Sequence, residues 1–235
     1  MPKIIKIAGA LLLTLLVLMS FSASARADDT AKDEETLEKA ATVLQGMLDA
    51  KTVPANLLAK ADCVIVLPSV KKGGFIIGGT GGRGPMICRV GKRFIGRWAA
   101  PAMYSIGGAS IGLQVGGTAS DFVLLVMSPH AVDKLLEGKS KIGSDMAAAA
   151  GPGVTSTDSV SGADILTYGR SSGLFVGISL SGASLSADED ANRRLYGKTI
   201  SAHDIVLGNT VKPTAGAKRL VSMLNAKVPK HSIQK

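Results

Sequence analysis

Three short motifs carry residue types that do chemistry elsewhere. Gly79-Thr80-Gly81-Gly82-Arg83-Gly84 satisfies G-x-G-x-x-G, which cradles a pyrophosphate when it joins a strand to a helix N-terminus. Here Pro85-Met86-Ile87-Cys88 follows and reads as strand, so the helix that would hold the phosphates is missing. A hairpin turn needing positive φ is the better account of these glycines. Gly108-Ala109-Ser110-Ile111-Gly112 satisfies G-x-S-x-G, in which a nucleophilic serine sits on a strand-to-helix turn with an acid and a histidine further along. The residues after Ser110 keep a strand-like pattern, and His130, His203 and His231 sit in no matching setting. A serine hydrolase using Ser110 is the enzymatic alternative. Gly197-Lys198-Thr199 resembles the end of a phosphate loop, but the glycine required five positions earlier is Asn192. No pair of histidines or carboxylates has metal-ligand spacing. The expectation is a chain that is not an enzyme and holds no cofactor.

Charge is more informative. Residues 63–120 carry Lys71, Lys72, Arg83, Arg89, Lys92, Arg93 and Arg97 and no acid, and residues 211–235 carry six bases and no acid. Residues 28–62 carry eight acids against four bases, and 121–210 carry ten against seven. Such asymmetry favours an anionic partner: lipid headgroups, polyanionic glycans or nucleic acid. An ordinary solvated surface is the plain alternative.

The opening residues suggest where that partner is met. Lys3 and Lys6 precede an apolar run from Ile7 to Met19, and the small-residue stretch Ser20 to Ala27 ends in Ala25-Arg26-Ala27. This is the layout of a secretory signal peptide over 1–27, with cleavage near Ala27; the apolar run is shorter than the ~18 residues a span needs. Loss of Lys3, Lys6 and Arg26 takes the formal charge from +9 to +6. The expected location is the periplasm or the exterior, where nucleic acid is the weakest partner. An oxidising compartment makes a Cys63–Cys88 disulfide the natural expectation, stabilising by roughly 3 kcal/mol in the chain-entropy model. Two buried free thiols are the alternative.

Periodicity supplies the elements around these residues. Leu37, Ala41, Leu44 and Leu48 recur at helical spacing over 31–51, and Pro54 opens a short helix through Ala61. Val64–Leu67, Phe75–Ile77, Met86–Arg89, Arg93–Trp98, Asp121–Met127, Ala163–Tyr168 and Leu174–Leu180 read as strands, and Ser105–Gly117 as one long bent strand. Ser128-Pro129 is an N-cap with proline at N1, opening a helix that stops at Gly138. Asp188–Leu195 has the acidic start and basic end of a helix, and a last helix covers Thr214 to about Lys227. Residues 145–162 resist assignment. No linker divides residues 28–235, which read as one domain. The expected class is α+β: an antiparallel, partly barrel-like β-sheet with helices at the N- and C-terminal ends.

An ordered series of motifs resembles the SYLF (Ysc84-like) family over about residues 35–210. Cys63-Val64-Ile65-Val66-Leu67-Pro68-Ser69-Val70-Lys71-Lys72-Gly73-Gly74-Phe75 is similar to its opening strand and turn. Gly78–Gly84 with Cys88-Arg89 is similar to its glycine-rich hairpin, and Trp98-Ala99-Ala100-Pro101 to its Trp-Ser-x-Pro element. Gly107–Gly116, Asp121–Met127, Gly151-Pro152, Tyr168–Phe175, Gly177–Gly182 and Asn192 with Tyr196-Gly197 continue the order. The resemblance implies lipid binding, notably of phosphoinositides, actin binding in some eukaryotic members, and no enzymatic activity. Helix 31–51 departs from the basic membrane helix of eukaryotic members in having an acidic polar face, which anionic lipid repels.

The expectation is therefore a binding module whose seven bases between Lys71 and Arg97 meet an anionic lipid or membrane surface, with Arg89, beside Cys88, a structural alternative. Phe94 and Trp98 are candidates for insertion at the interface, against core packing. The rival reading is an envelope protein that binds another protein or a glycan.

Overall fold

The computed structural model describes residues 27–74, 77–111, 116–151, 162–171, 174–175, 180, 182–228 and 231. The expected leader lies outside these residues except for Ala27. Helix α1 (27–49) leads to α2 (Ala55–Leu58), then to strands β1 (Cys63–Gly74), β2 (Ile77–Cys88), β3 (Ala102–Ile111) and β4 (Gly116–Val126). Helix α3 (Pro129–Leu136), β5 (Ser140–Lys141), β6 (Ala148–Ala150), β7 (Ile165–Ser171), β8 (Leu174–Phe175) and β9 (Ser184–Ala187) follow. Helices α4 (Glu189–Tyr196), α5 (Ala202–Val206) and α6 (Ala217–Lys227) close the order.

The strands form one curled, half-barrel sheet in the order β5-β9-β3-β2-β1-β4-β7-β6, with β8 paired to β7. Every pairing is antiparallel except β6 with β7. The expected α+β class, with helices at both ends, is what is found. The near-continuous apolar run of β1 has a simple cause, since both faces of the sheet are covered. Cys63, Ile65 and Leu67 face a core closed by α3 and α5, while Val64 and Val66 face one closed by α1, α2 and α6.

Local chemistry sets several boundaries as expected. The Ser128 hydroxyl accepts from the Ala131 N–H with Pro129 at N1, and Gly138 takes φ +136° just past the helix. The Asp188 carboxylate accepts from the Ala191 N–H at the start of α4, and Gly197 ends that helix at φ +67°. Helix α5, capped by Ser201, and strands β5, β6 and β9 had not been expected. The stretch read as one strand over Ser105–Gly117 is two, β3 and β4; residues 112–115 lie outside the described set, as do Phe75 and Ile76. Of the strand expected over Leu174–Leu180, only Leu174 and Phe175, as β8, are described as strand.

Gly79–Gly84 require a correction. They lie inside β2 and none has positive φ, so they do not form a turn. Two of them allow a close approach. The β1–β2 register shifts between Ile65 and Lys71, where Ser69 sits at φ 53°. The Asp121 carboxylate holds this irregularity by accepting the Ser69 N–H at 3.0 Å, and pairs with Arg170 at 3.2 Å. A Cβ on Gly84 would stand 1.9 Å from the Val66 carbonyl oxygen, and one on Gly82 would stand 2.9 Å from Val70 Cγ2. At Gly79 and Gly81 a Cβ would meet nothing. Gly84→Ala is therefore expected to cost about 2–4 kcal/mol in urea unfolding, and Gly79→Ala less than about 0.5. Equal losses at the two positions would show that the backbone contact is not what demands glycine.

Candidate functional site

The first strand begins, and the second ends, at a covalent cross-link: Cys63 and Cys88 are register partners with Sγ atoms 2.00 Å apart, closing a separation of 25 residues. Arg89 follows directly and has no solvent exposure. Its guanidinium stacks 4.2 Å from the centre of the Trp98 ring. One Nη donates to the Val228 carbonyl at 2.8 Å and the other to the Gly96 carbonyl at 3.2 Å. Burial pulls the Arg89 pKa down to about 10, and the nearby Asp62 carboxylate acts against that fall. Trp98 donates its indole N–H to the same Val228 carbonyl at 3.1 Å, and exchanges backbone hydrogen bonds with the Asn225 side chain at 3.0 and 3.2 Å. The end of α6 is thus capped by side chains from the sheet.

Between Arg89 and Trp98, which form an isolated bridge, the chain leaves the sheet as loop 90–97. The expected strand over Arg93–Trp98 is absent. Val90 N–H donates to the Arg97 carbonyl at 3.0 Å and Gly96 N–H to the Val90 carbonyl at 2.9 Å, which closes the loop neck. A Cβ on Gly96 would stand 2.4 Å from that Val90 oxygen. Inside the neck, Lys92–Phe94 make a single 3₁₀ turn, with Gly91 at φ +86°, Arg93 at +62° and Phe94 at +54°. Phe94 turns onto the core, whereas Lys92, Arg93, Ile95 and Arg97 are exposed.

The seven bases do not share one surface. Lys92, Arg93 and Arg97 come together in the loop. Lys71 and Lys72 lie toward the far end of β1, eight residues from Cys63, or roughly 25 Å along the strand. Lys72 sits 6.0 Å from the centre of the Phe122 ring, and its partial burial lowers its pKa. Arg83 contacts the fully buried Asp33 carboxylate of α1 at 2.6 Å and Asp188 at 3.7 Å. Arg89 is enclosed and takes the structural role. Trp98 is fully buried and is not available to an interface. Ile95, 54% exposed, went unremarked in the sequence because a lone aliphatic residue between two bases gives no periodic signal.

The acidic face of α1 is also partly internal. Asp33 takes Arg83 and, at 2.7 Å, Arg194. The Glu34 carboxylate accepts from Thr214 at 2.9 Å and from the Gly216 N–H at 2.6 Å, serving the start of α6. A further concavity of about 410 Å³ is lined by Thr30, Arg193, Arg194, Gly197, Lys198 and Thr199, and in it Arg193 and Arg194 are paired with Asp190 and Asp33.

The other motifs lie outside the settings their chemistry needs. Ser110 lies within β3, register-paired with Gly78 rather than on a strand-to-helix turn. Gly197-Lys198-Thr199 follows a helix C-terminus, not a phosphate-binding N-terminus. Asn192 is fully buried and clasps the backbone of Met103 with both ends of its amide, at 2.7 and 3.3 Å, docking α4 on β3.

A curled sheet, a glycine-relieved β1–β2 irregularity and a basic loop rooted beside a disulfide frame the candidate site. The profile of the family described as Las17-binding protein actin regulator (Ysc84) matches residues 107–227. The chain belongs to this Ysc84 (SYLF) family. It is 34% identical over 189 residues to the SH3 domain-containing YSC84-like protein 1 of Bos taurus, covering 78% of this chain and 54% of that protein. The Xenopus laevis protein of the same name is 33% identical, with 88% and 62% covered. Protein YSC84 of Saccharomyces cerevisiae is 29% identical, with 76% and 40% covered. The chain thus spans about half the length of the relatives it matches.

Two measurements probe this centre. Arg89→Lys keeps the charge but loses the planar fork and the stack, and is expected to cost about 2–4 kcal/mol in urea unfolding. A loss below about 0.5 kcal/mol would remove the clamp from the stability account. Burial raises the Asp62 pKa to about 6, with Arg89 acting in the opposite direction. An unfolded Asp ionises near 3.8, so between these values the folded state holds a proton that the unfolded state has released. Stability therefore falls as pH rises through that window, by on the order of 2 kcal/mol. Asp62→Asn should flatten this component of the pH profile, and an unchanged slope would assign it to other groups.

Proposed function

We propose that this chain is an exported, non-catalytic binding protein that attaches to surfaces bearing anionic lipid headgroups. The observation that carries the reading is the loop of Lys92, Arg93 and Arg97. All three are exposed, and among the described residues none has a carboxylate within ion-pairing distance. The acid closest in sequence to Asn209 is Asp204 of α5, which accepts from the Ser201 hydroxyl at 2.8 Å. Arg97 reaches that segment through Asn209 at 3.4 Å. Each such base contributes about 1 kcal/mol at a charged bilayer, lost as salt screens the attraction. The charged n-region, apolar run and Ala25-Arg26-Ala27 support export. Membership of a family described by binding and regulation supports a role without chemistry.

The same family description favours a second reading, a module that docks another protein, which predicts a stable cross-linked complex indifferent to lipid. Co-sedimentation separates the two. The purified chain is expected to pellet with phosphatidylglycerol-containing vesicles at low salt and to be released as salt rises. Replacing Lys92, Arg93 and Arg97 together by Gln should weaken this on the order of a hundredfold. Equal pelleting with pure phosphatidylcholine would reject the charge mechanism.

A further inference from the structure

Resting on the membrane-binding reading above, we propose that loop 91–97 is the element that enters the bilayer interface, with Ile95 reaching the acyl boundary and Lys92, Arg93 and Arg97 ringed around it at the level of the lipid phosphates. A singly exposed aliphatic side chain is ordinary on a protein surface. Four observations set this one apart.

Ile95 is the one large hydrophobic exposed among the described side chains, and it stands between exposed Lys92-Arg93 and Arg97 in a stretch without acids. The loop backbone is built to present it. Arg93 and Phe94 are consecutive non-glycine residues in the left-handed region, which L side chains rarely adopt. The turn they make sends Phe94 into the core and leaves Ile95 outside. Strain of this kind persists only where the surroundings hold it, and it gathers where geometry serves function.

The root is rigid. The neck is closed by the Val90–Arg97 and Gly96–Val90 hydrogen bonds, Arg89 is stacked on Trp98, Trp98 is held by Asn225 of α6, and the Cys63–Cys88 bridge stands one residue away. A preformed loop loses little conformational freedom on docking, so a small apolar contact counts for more. The charge complements an anionic surface and extends beyond the loop. Arg97 is tied to Asn209, and exposed Lys212 lies three residues further along that segment. Bases at the headgroup level around an aliphatic side chain at the acyl boundary form the arrangement by which interfacial elements hold anionic membranes.

The test uses the full purified chain carrying Ile95→Trp, with vesicles of phosphatidylcholine and phosphatidylglycerol in equal parts. Trp98 is fully enclosed and supplies a constant background. The expected result is a blue shift of the new tryptophan on adding vesicles and quenching by bromine-labelled acyl chains. In parallel, Ile95→Ser should weaken pelleting on the order of tenfold while leaving thermal unfolding unchanged, because the side chain makes little of the core. If the wild-type chain pellets but the new tryptophan neither shifts nor is quenched, the loop assignment is overturned and the membrane reading stands. If the wild-type chain fails to pellet, the membrane reading falls and the loop assignment falls with it.

Discussion

A guanidinium with no access to water is the constraint around which this fold is arranged. Burying a charge is costly unless its donors and its field are both answered. Arg89 receives an aromatic face from Trp98, carbonyls from Gly96 and Val228, and the field of Asp62. These come from three separate parts of the chain. Asp62 lies just before β1, Gly96 in the neck of the loop, Trp98 where the chain re-enters toward β3, and Val228 at the end of α6. One side chain therefore fixes the entry to the sheet, the loop and the C-terminal helix together. The Val228 carbonyl would be an orphan of the last helical turn, and instead accepts from two buried donors. The adjacent disulfide acts on the same junction from the other side, holding the start of β1 against the end of β2.

A second buried charge works at the opposite end of α1 and alters what the charge pattern means. Asp33 is fully enclosed yet faces two arginines, one from β2 and one from α4. Glu34, beside it, bonds the backbone at the start of α6. The N-terminal helix looks acidic in sequence because part of its acid content clamps the fold shut. Arg83 belongs to this clamp, and the enclosed Arg89 to the one described above. The basic block between residues 63 and 120 is thus divided by the fold into an enclosed Arg89, a half-buried Arg83 paired with acids, a pair at the glycine-rich end of β1, and a cluster of three in the loop.

What was legible in the sequence was what local chemistry decides. Ser128-Pro129 announces its helix because capping is settled within four residues, and Asp188–Leu195 announces its own by an acidic start and a basic end. The run from Val64 to Leu67 announces a strand covered on both faces because nothing polar interrupts it. The ordered motifs identified the family before any geometry was known. Legibility failed where a residue answers to a distant neighbour. Gly84 is glycine because of the Val66 carbonyl on the next strand, and no reading of Gly79–Gly84 alone distinguishes that from a turn. Arg93–Trp98 has a strand's composition, but Gly91 and Gly96 flank a stretch whose ends are drawn together by Val90 and Arg97, so it folds as a loop. Phe94 and Trp98, weighed between interface and core, both pack on cores as sparse aromatics do, and no signal in the sequence marked Ile95 as the residue left outside.

The covering of the sheet also narrows where a partner can be met. Around Cys63–Leu67 one face of the sheet lies under α3 and α5 and the other under α1, α2 and α6, while the glycine-rich half around Lys71, Gly79, Gly81 and Gly107 is exposed. Over the covered part, recognition is left to strand ends, edges and connections, the parts of a scaffold that tolerate specialisation without disturbing the core. Of the connections described, 91–97 alone combines unpaired bases, an exposed aliphatic side chain and a backbone held in rarely adopted conformations. Its rigidity comes from Arg89 and Trp98, the same contacts that secure α6. Stability and the proposed recognition surface are therefore coupled: a change that loosens the buried guanidinium would also loosen the loop.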